Sequence, residues 1–142
     1  MTRDELNLLE AYLRKTFQTD TIEVKPRLKK KDSAEVYVGE QQVAYIYRDD
    51  EDDEVSYQVE MDIKGLDRKD IVTREELNAL EKHLRKTFRA DNIEVKARPK
   101  KKDSAEVYVH DEFLAVIYCG DKDDKVPYKF QMAILETDLK VM

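Results

Sequence analysis

Histidine and cysteine are the side chains best suited to nucleophilic or acid–base chemistry, and this sequence has only His83, His110 and Cys119. The chain is an internal repeat, and the matching positions of the other copy hold tyrosine, glycine and arginine instead. Two acidic–hydroxyl pairs do recur, Asp32-Ser33 and Asp103-Ser104, but no histidine or lysine base has a shared position that would activate either serine. We therefore predict that both pairs start strands, that no residue is catalytic and that the protein is not an enzyme.

A dense run of carboxylates at 49–54 offers the ligand type that Ca²⁺ and Mg²⁺ prefer. The run lacks the spacing and the central glycine of an EF-hand loop, and lysines interrupt its counterpart at 120–125. We interpret it as the solvated tip of a hairpin and predict no metal-binding residue and no cofactor. Cys119 is the only cysteine, so neither a disulfide within the chain nor a cysteine-based metal site is expected.

Two matching runs of cations could contact the phosphate backbone of RNA or DNA. Neither run contains an aromatic residue on which a base could stack, and an acidic hairpin is expected at the same end of each sheet. Nucleic-acid binding through two basic hairpins is therefore the alternative to the favoured function. Its contacts would be Lys25, Arg27, Lys29, Lys30, Lys31, Lys96, Arg98, Lys100, Lys101 and Lys102.

The sequence repeats itself at an offset of 71 residues without a gap. The secondary-structure elements that position the residues above are therefore expected to occur twice. The segment from Lys101 to Val109 is identical to that from Lys30 to Val38. Over positions 2–67, roughly 60% of the residue pairs are identical, well beyond an accident of composition. Two copies are too few for a solenoid, so we predict two adjacent modules that mimic a homodimer.

Each copy predicts one helix followed by four strands. Thr2 and Glu5 form a capping-box pattern, and leucines at helical spacing follow it. Further along the copy the apolar period becomes two, and short polar gaps indicate hairpins. The fold class is therefore α+β, a tandem repeat of two modules, each an N-terminal helix and a four-stranded antiparallel meander sheet. The predicted boundaries are 1–64 for the first module, 65–72 for a linker and 73–142 for the second.

Two other folds begin in a similar way. A double-stranded-RNA-binding domain requires a second helix after its strands, and none is expected here. An Sm-like barrel requires five sharply bent strands, which the 3 glycines of the whole chain disfavour. The open meander is therefore preferred.

The outer face of each sheet is the expected contact surface. Tyrosines alternate with core valines on the second strand, and the fourth strand of the second copy has Ala133 and Leu135 where the first copy has Asp62 and Lys64. Because the outer faces differ between the copies, we predict that the modules meet through their similar regions. The surface predicted to bind a protein partner, or another copy of the chain, contains Tyr37, Tyr108, Phe113, Ala133 and Leu135. The alternative is that the outward residues bury the interface between the two modules.

The segments Ser104–Phe113 and Tyr128–Leu135 resemble a small family of alphaproteobacterial proteins of unknown function, whose members are about one module long. The resemblance covers nearly all of residues 73–139. It implies a bacterial cytoplasmic protein and a single-module ancestor, and it carries over no activity, cofactor or catalytic residue. With 41% charged residues, no signal-like segment and no apolar run of membrane-spanning length, the sequence fits the same cytoplasmic location without membrane contact.

Overall fold

The computed structural model describes residues 1–51, 54–63, 73–98, 101–119 and 127–140. The predicted linker at 65–72, Lys100 and part of the acidic run lie outside the described residues, as do the side chains of Lys101 and Lys102. Within the described ranges, no helix is long and apolar enough to cross a membrane.

The predicted fold is confirmed: each copy is one helix followed by four antiparallel strands. The first copy contains α1 (Arg3–Phe17), β1 (Ile22–Arg27), β2 (Lys30–Val38), β3 (Gln41–Asp49) and β4 (Ser56–Ile63). The second contains α2 (Arg74–Phe88), β5 (Ile93–Arg98), β6 (Lys101–Val109), β7 (Glu112–Cys119) and β8 (Tyr128–Leu135). A short helix, α3 (Glu136–Lys140), follows β8 and buries Leu139, so the expectation that no helix follows the strands is wrong.

The helices begin and end as their sequences dictate. The Thr2 hydroxyl accepts a hydrogen bond from the Glu5 backbone N–H at 3.1 Å, and the Glu5 carboxylate accepts one from the Thr2 backbone N–H at 3.0 Å. This capping box satisfies N–H groups that lack partners within the helix. At the other end, Gln18 and Arg89 take left-handed conformations and stop α1 and α2.

All eight strands belong to one sheet, in the order β1-β2-β3-β4-β8-β7-β6-β5. The copies join because β4 pairs antiparallel with β8 along its whole length, from Ser56↔Leu135 to Ile63↔Tyr128. Glu60 and Gln131 hold the same position in the two copies and face each other, so a pseudo-twofold axis passes between them. The prediction that the modules meet through their similar regions is therefore wrong for this seam, because a backbone ladder does not depend on the outward side chains.

Helix side chains, by contrast, bring similar regions together on the inner face of the sheet. Phe17 and Phe88, which are equivalent by the repeat, stack with ring centroids 4.5 Å apart and planes 4° from parallel. Phe130 of β8 packs 6.0 Å from Phe88. The two copies thus share one apolar core centred near the pseudo-twofold axis.

The outer edges of the sheet are covered by the same two residues of each helix. Glu10 accepts a hydrogen bond from the Val24 backbone N–H at 2.9 Å, and Arg14 Nε donates one to the Ile22 carbonyl at 2.7 Å. Glu81 and Arg85 repeat both bonds on β5 at 3.0 Å and 2.9 Å. Because uncovered edge strands promote aggregation, these bonds occupy groups that another chain could otherwise pair with.

A polar cluster fixes the start of α1 to the sheet. The Tyr57 hydroxyl donates to Glu5 Oε2 at 2.6 Å, and Arg48 Nε lies 3.1 Å from the same oxygen. Burial raises the pKa of Glu5, but the hydrogen bonds from Thr2 and Tyr57 and the Arg48 charge outweigh it and lower the pKa below 4.5. Burial and the Glu5 carboxylate raise the pKa of Tyr57 to about 12.

This cluster predicts a specific loss of stability in acid. Because the pKa of Glu5 is depressed in the folded state, its contribution is present above its unfolded-state pKa and is lost as pH falls through the folded-state value. The free energy of unfolding of the wild type should therefore fall more between pH 6 and pH 3 than that of Glu5→Gln, measured with urea. Asp4→Asn, in the same helical turn, is the control and should follow the wild type. Parallel curves for the wild type and Glu5→Gln would contradict the assignment.

The shared core predicts that both copies unfold together. Phe17→Ala removes one ring of the central stack and should lower the free energy of unfolding by about 3–5 kcal/mol. Circular dichroism and tyrosine fluorescence should report the same single urea transition, because the sheet is continuous. Phe113→Ala, at an exposed position, is the control and should change stability little. A variant in which only the first copy unfolds would show that the cores are independent.

Candidate functional site

Two gaps open on either side of the central pair of strands. β3 pairs with β4 only from Tyr45↔Glu60 to Asp49↔Ser56, and β7 pairs with β8 only from Val116↔Gln131 to Cys119↔Tyr128. Bulges in the β2–β3 and β6–β7 ladders bend the first halves of β3 and β7. The remaining residues of β4, Met61–Ile63, pair only with β8, and those of β8, Met132–Leu135, pair only with β4, so a groove lies beside each of them.

The first groove, next to β4, is polar and has a volume of about 640 Å³. Asp62 lines it and faces Lys129 across the β4–β8 ladder. His83 of α2, a residue of the other copy, also lines it, and burial with the nearby Lys86 charge lowers the pKa of His83. The lining residues are Gln41, Gln42, Val43, Ala44, Tyr45, Tyr47, Glu60, Met61, Asp62, His83 and Thr87.

The second groove, next to β8, has a volume of about 410 Å³ and a more apolar lining. Phe113 is 50% exposed and Tyr118 39% exposed, which leaves two aromatic rings open to a partner. Tyr12 reaches it from α1 of the other copy, and burial with the Asp138 and Glu112 charges raises the pKa of Tyr12. The lining residues are Tyr12, Gln58, Glu112, Phe113, Leu114, Ala115, Val116, Tyr118, Gln131, Met132, Ala133 and Asp138.

The structure brings part of the predicted partner surface together. Tyr108 contacts Phe113 edge to face, with centroids 5.8 Å apart, and Phe113 and Ala133 line the same groove. Leu135, 40% exposed, lies two residues from Ala133 on the same face of β8. Tyr37 faces outward as predicted but is separate, because β3 and β4 lie between its strand and β8. The sequence analysis missed Val116 and Tyr118, although the alternation along β7 places both on the outer face.

Four of the predicted nucleic-acid contacts lie on the edge strands β1 and β5. Lys25 and Lys96 lie over the rings of Tyr37 and Tyr108, at 4.5 Å and 4.6 Å from the centroids. The same two lysines pair with Glu23 and Glu94 at 3.7 Å. Arg27 lies 4.5 Å over the Tyr45 ring, and Arg98 donates to the Ser104 hydroxyl at 3.2 Å. These cations therefore already have aromatic, carboxylate or hydroxyl partners.

The other cations of the first basic run are also exposed, Lys29 in the β1–β2 turn and Lys30 and Lys31 at the start of β2. The strand order puts the β1–β2 and β5–β6 hairpins at opposite edges of the sheet. The pseudo-twofold axis also turns them in opposite directions. The two hairpins are thus not side by side, as one shared phosphate-backbone contact would require.

Three of the residues considered for catalysis have structural partners, whereas the buried Ser33 hydroxyl has no hydrogen-bond partner among the described residues. Asp32 lies 4.0 Å from Arg48, and Ser104 accepts the bond from Arg98. His110 Nε2 lies 2.9 Å from Gln18 Oε1, across the boundary between the copies. At the symmetry-related contact, Gly39 makes room for Arg89, whose guanidinium would lie 2.9 Å from an added Cβ. The difference between His110 and glycine is therefore explained by packing between the copies.

The described residues of the acidic run make local contacts within the β3–β4 hairpin. Asp49 accepts a hydrogen bond from the Glu51 backbone N–H at 3.1 Å, and Asp50 pairs with Arg48 at 3.3 Å. In the part of the chain that the structure describes, no group of three His, Cys, Asp or Glu side chains is placed to hold a metal ion.

Comparison with known proteins agrees with the repeat. The model of a family described as a protein of unknown function (DUF3126) matches the chain twice, over residues 5–67 and 76–138. Each match spans one helix and the four strands that follow it. No curated protein and no solved structure shows significant similarity to the chain. The chain belongs to the DUF3126 family, whose domain it contains as a tandem duplication.

Proposed function

We propose that the chain is a non-enzymatic protein-interaction module, a fused pseudo-dimer whose second groove binds a protein partner. The observation that carries the proposal is the apolar lining of this groove at positions where the first groove is polar. Phe113 and Ala133 stand where the first copy has Gln42 and Asp62. The two grooves thus share one backbone geometry, and the second offers apolar side chains at two positions where the first has polar ones.

The exposed apolar side chains of this groove favour a protein ligand, which would bury them. Apolar residues exposed singly are normal on soluble proteins, whereas a contiguous exposed set marks an interaction site. Phe113, Leu114 and Ala133 form such a set, and Tyr118 adds an aromatic ring with a polar end. Complete burial of a side chain the size of leucine or phenylalanine contributes about 1.5–3 kcal/mol of favourable free energy. A few such residues therefore supply useful affinity.

The charge of the groove favours protein over nucleic acid. Among the described residues that line it, Glu112 and Asp138 are acidic and none is lysine or arginine. A phosphate backbone would be repelled there, because binding to nucleic acid depends on cations that replace its counterions. The single cysteine and the charged composition support a role in a reducing cytoplasm.

Exchanging residues between the copies tests this proposal. Phe113→Gln, Ala133→Asp and Leu135→Lys together give the second groove the residues that the first copy has at these positions. The triple variant should fold, because Gln42 and Asp62 hold the equivalent strand positions in the first copy and Leu135 is 40% exposed. In a pulldown from bacterial lysate treated with nuclease, we expect it to retain a protein partner at least tenfold less than the wild type. A self-associating chain should lose its oligomer in sedimentation experiments.

The matched control is the reverse exchange in the first groove, Gln42→Phe with Asp62→Ala, which leaves the second groove intact and should retain the partner. If the triple variant folds and keeps every partner, the functional surface lies elsewhere. If only the untreated lysate yields bound material, and that material is RNA lost at higher salt, the nucleic-acid alternative is correct.

A further inference from the structure

We infer that the partner enters the second groove as an extended segment that pairs with the backbone of β8; this inference rests on the proposed function. β8 is an interior strand, yet its last four residues, Met132–Leu135, pair on one side only. On the other side, the ladder with β7 stops at Gln131. The gap is therefore a short strand edge inside the sheet, long enough for about four residues, or roughly 13 Å.

Two hydrogen bonds show which peptide groups face the gap. The Glu136 backbone N–H donates to the Val55 carbonyl at 3.0 Å, which continues the register between β4 and β8. The Leu135 N–H points away from β4 and donates to Asp138 Oδ2 at 3.0 Å. Because successive residues of a strand direct their peptide groups to opposite sides, Met132 and Ile134 bond to β4 and Ala133 faces the gap. An extended ligand could therefore form both hydrogen bonds of a strand pair with Ala133.

The outer edges of the sheet, which are covered by helix side chains, contrast with the gap beside β8 and support strand pairing there. Glu10 and Arg14 cover the free edge of β1, and Glu81 and Arg85 cover that of β5. At the gap, Asp138 covers the Leu135 N–H, and the ladder that would cover Ala133 has already ended. Uncovered strand groups next to apolar pockets are the features by which strand-addition sites bind peptides.

The charges around the gap define the ligand further. Glu112 and Asp138 lie toward the Leu135 end, where Lys15 lines the adjoining hollow with them. Two carboxylates against one ammonium leave a negative balance at that end. Lys129 lies toward the other end, cross-strand from Tyr118. The complementary segment is therefore extended, with alternating apolar side chains for the groove and a lysine or arginine at the end next to Leu135.

A random octapeptide library displayed on phage, selected on the full chain, tests this assignment. The enriched peptides should carry apolar residues at every second position, a flanking lysine or arginine, and no proline between them. Their binding should fall at least tenfold on the triple variant Phe113→Gln, Ala133→Asp, Leu135→Lys and remain unchanged on Gln42→Phe with Asp62→Ala. Circular dichroism should show that both variants are folded. Enrichment of helix-spaced apolar anchors, or no enrichment above the triple variant, would overturn the inference.

Amide hydrogen exchange of the chain, measured with and without the best selected peptide, tests strand pairing independently of the proposed function. The Ala133 amide should exchange at least tenfold more slowly when the peptide is bound, and N-methylation at alternate peptide positions should abolish that effect. If the triple variant loses its protein partner but no peptide slows exchange at Ala133, strand pairing is wrong and the proposed function stands. If the triple variant keeps its partner, the proposed function fails as well.

Discussion

The backbone ladder between β4 and β8 is the interaction on which the rest of the structure depends. Without it, each copy would end in an uncovered edge strand, the form of sheet most prone to unwanted pairing. The ladder runs over eight residue pairs and places Tyr57, Met61 and their equivalents in one core. A slip of one residue would turn these side chains to the outer face, so burial fixes the register. The stack of Phe17 on Phe88 then closes the core across the pseudo-twofold axis.

The same ladder explains why the grooves exist and why they need both copies. β4 and β8 hold each other along their full length, whereas β3 and β7 turn away at their bulges. Each resulting gap is lined by a helix residue of the other copy, His83 in the first and Tyr12 in the second. A fused pair can then change one groove without changing the other, which an identical pair of chains cannot do. The contrast between Gln42 and Phe113 is such a change.

Much of the fold could be predicted from the sequence because it depends on local patterns. The capping residues located the helices, the two-residue period located the strands, and alternation placed Tyr37, Tyr108 and Ala133 on the outer face. The β4–β8 seam could not be predicted, because backbone hydrogen bonds carry no residue signature. The gaps were missed because they require knowing where a ladder ends, and α3 was missed because five residues are too few for a helical period.

Hydrogen exchange of the β8 amides in the free protein tests most directly whether the copies share a ladder that leaves a gap beside it. The amides of Met132 and Ile134, which bond to β4, should exchange only through global unfolding. Those of Lys129 and Gln131, which bond to β7, should also be protected, while the amide of Ala133 between these groups should exchange orders of magnitude faster. Rapid exchange at Met132 and Ile134 would contradict the seam, and strong protection at Ala133 would contradict the gap.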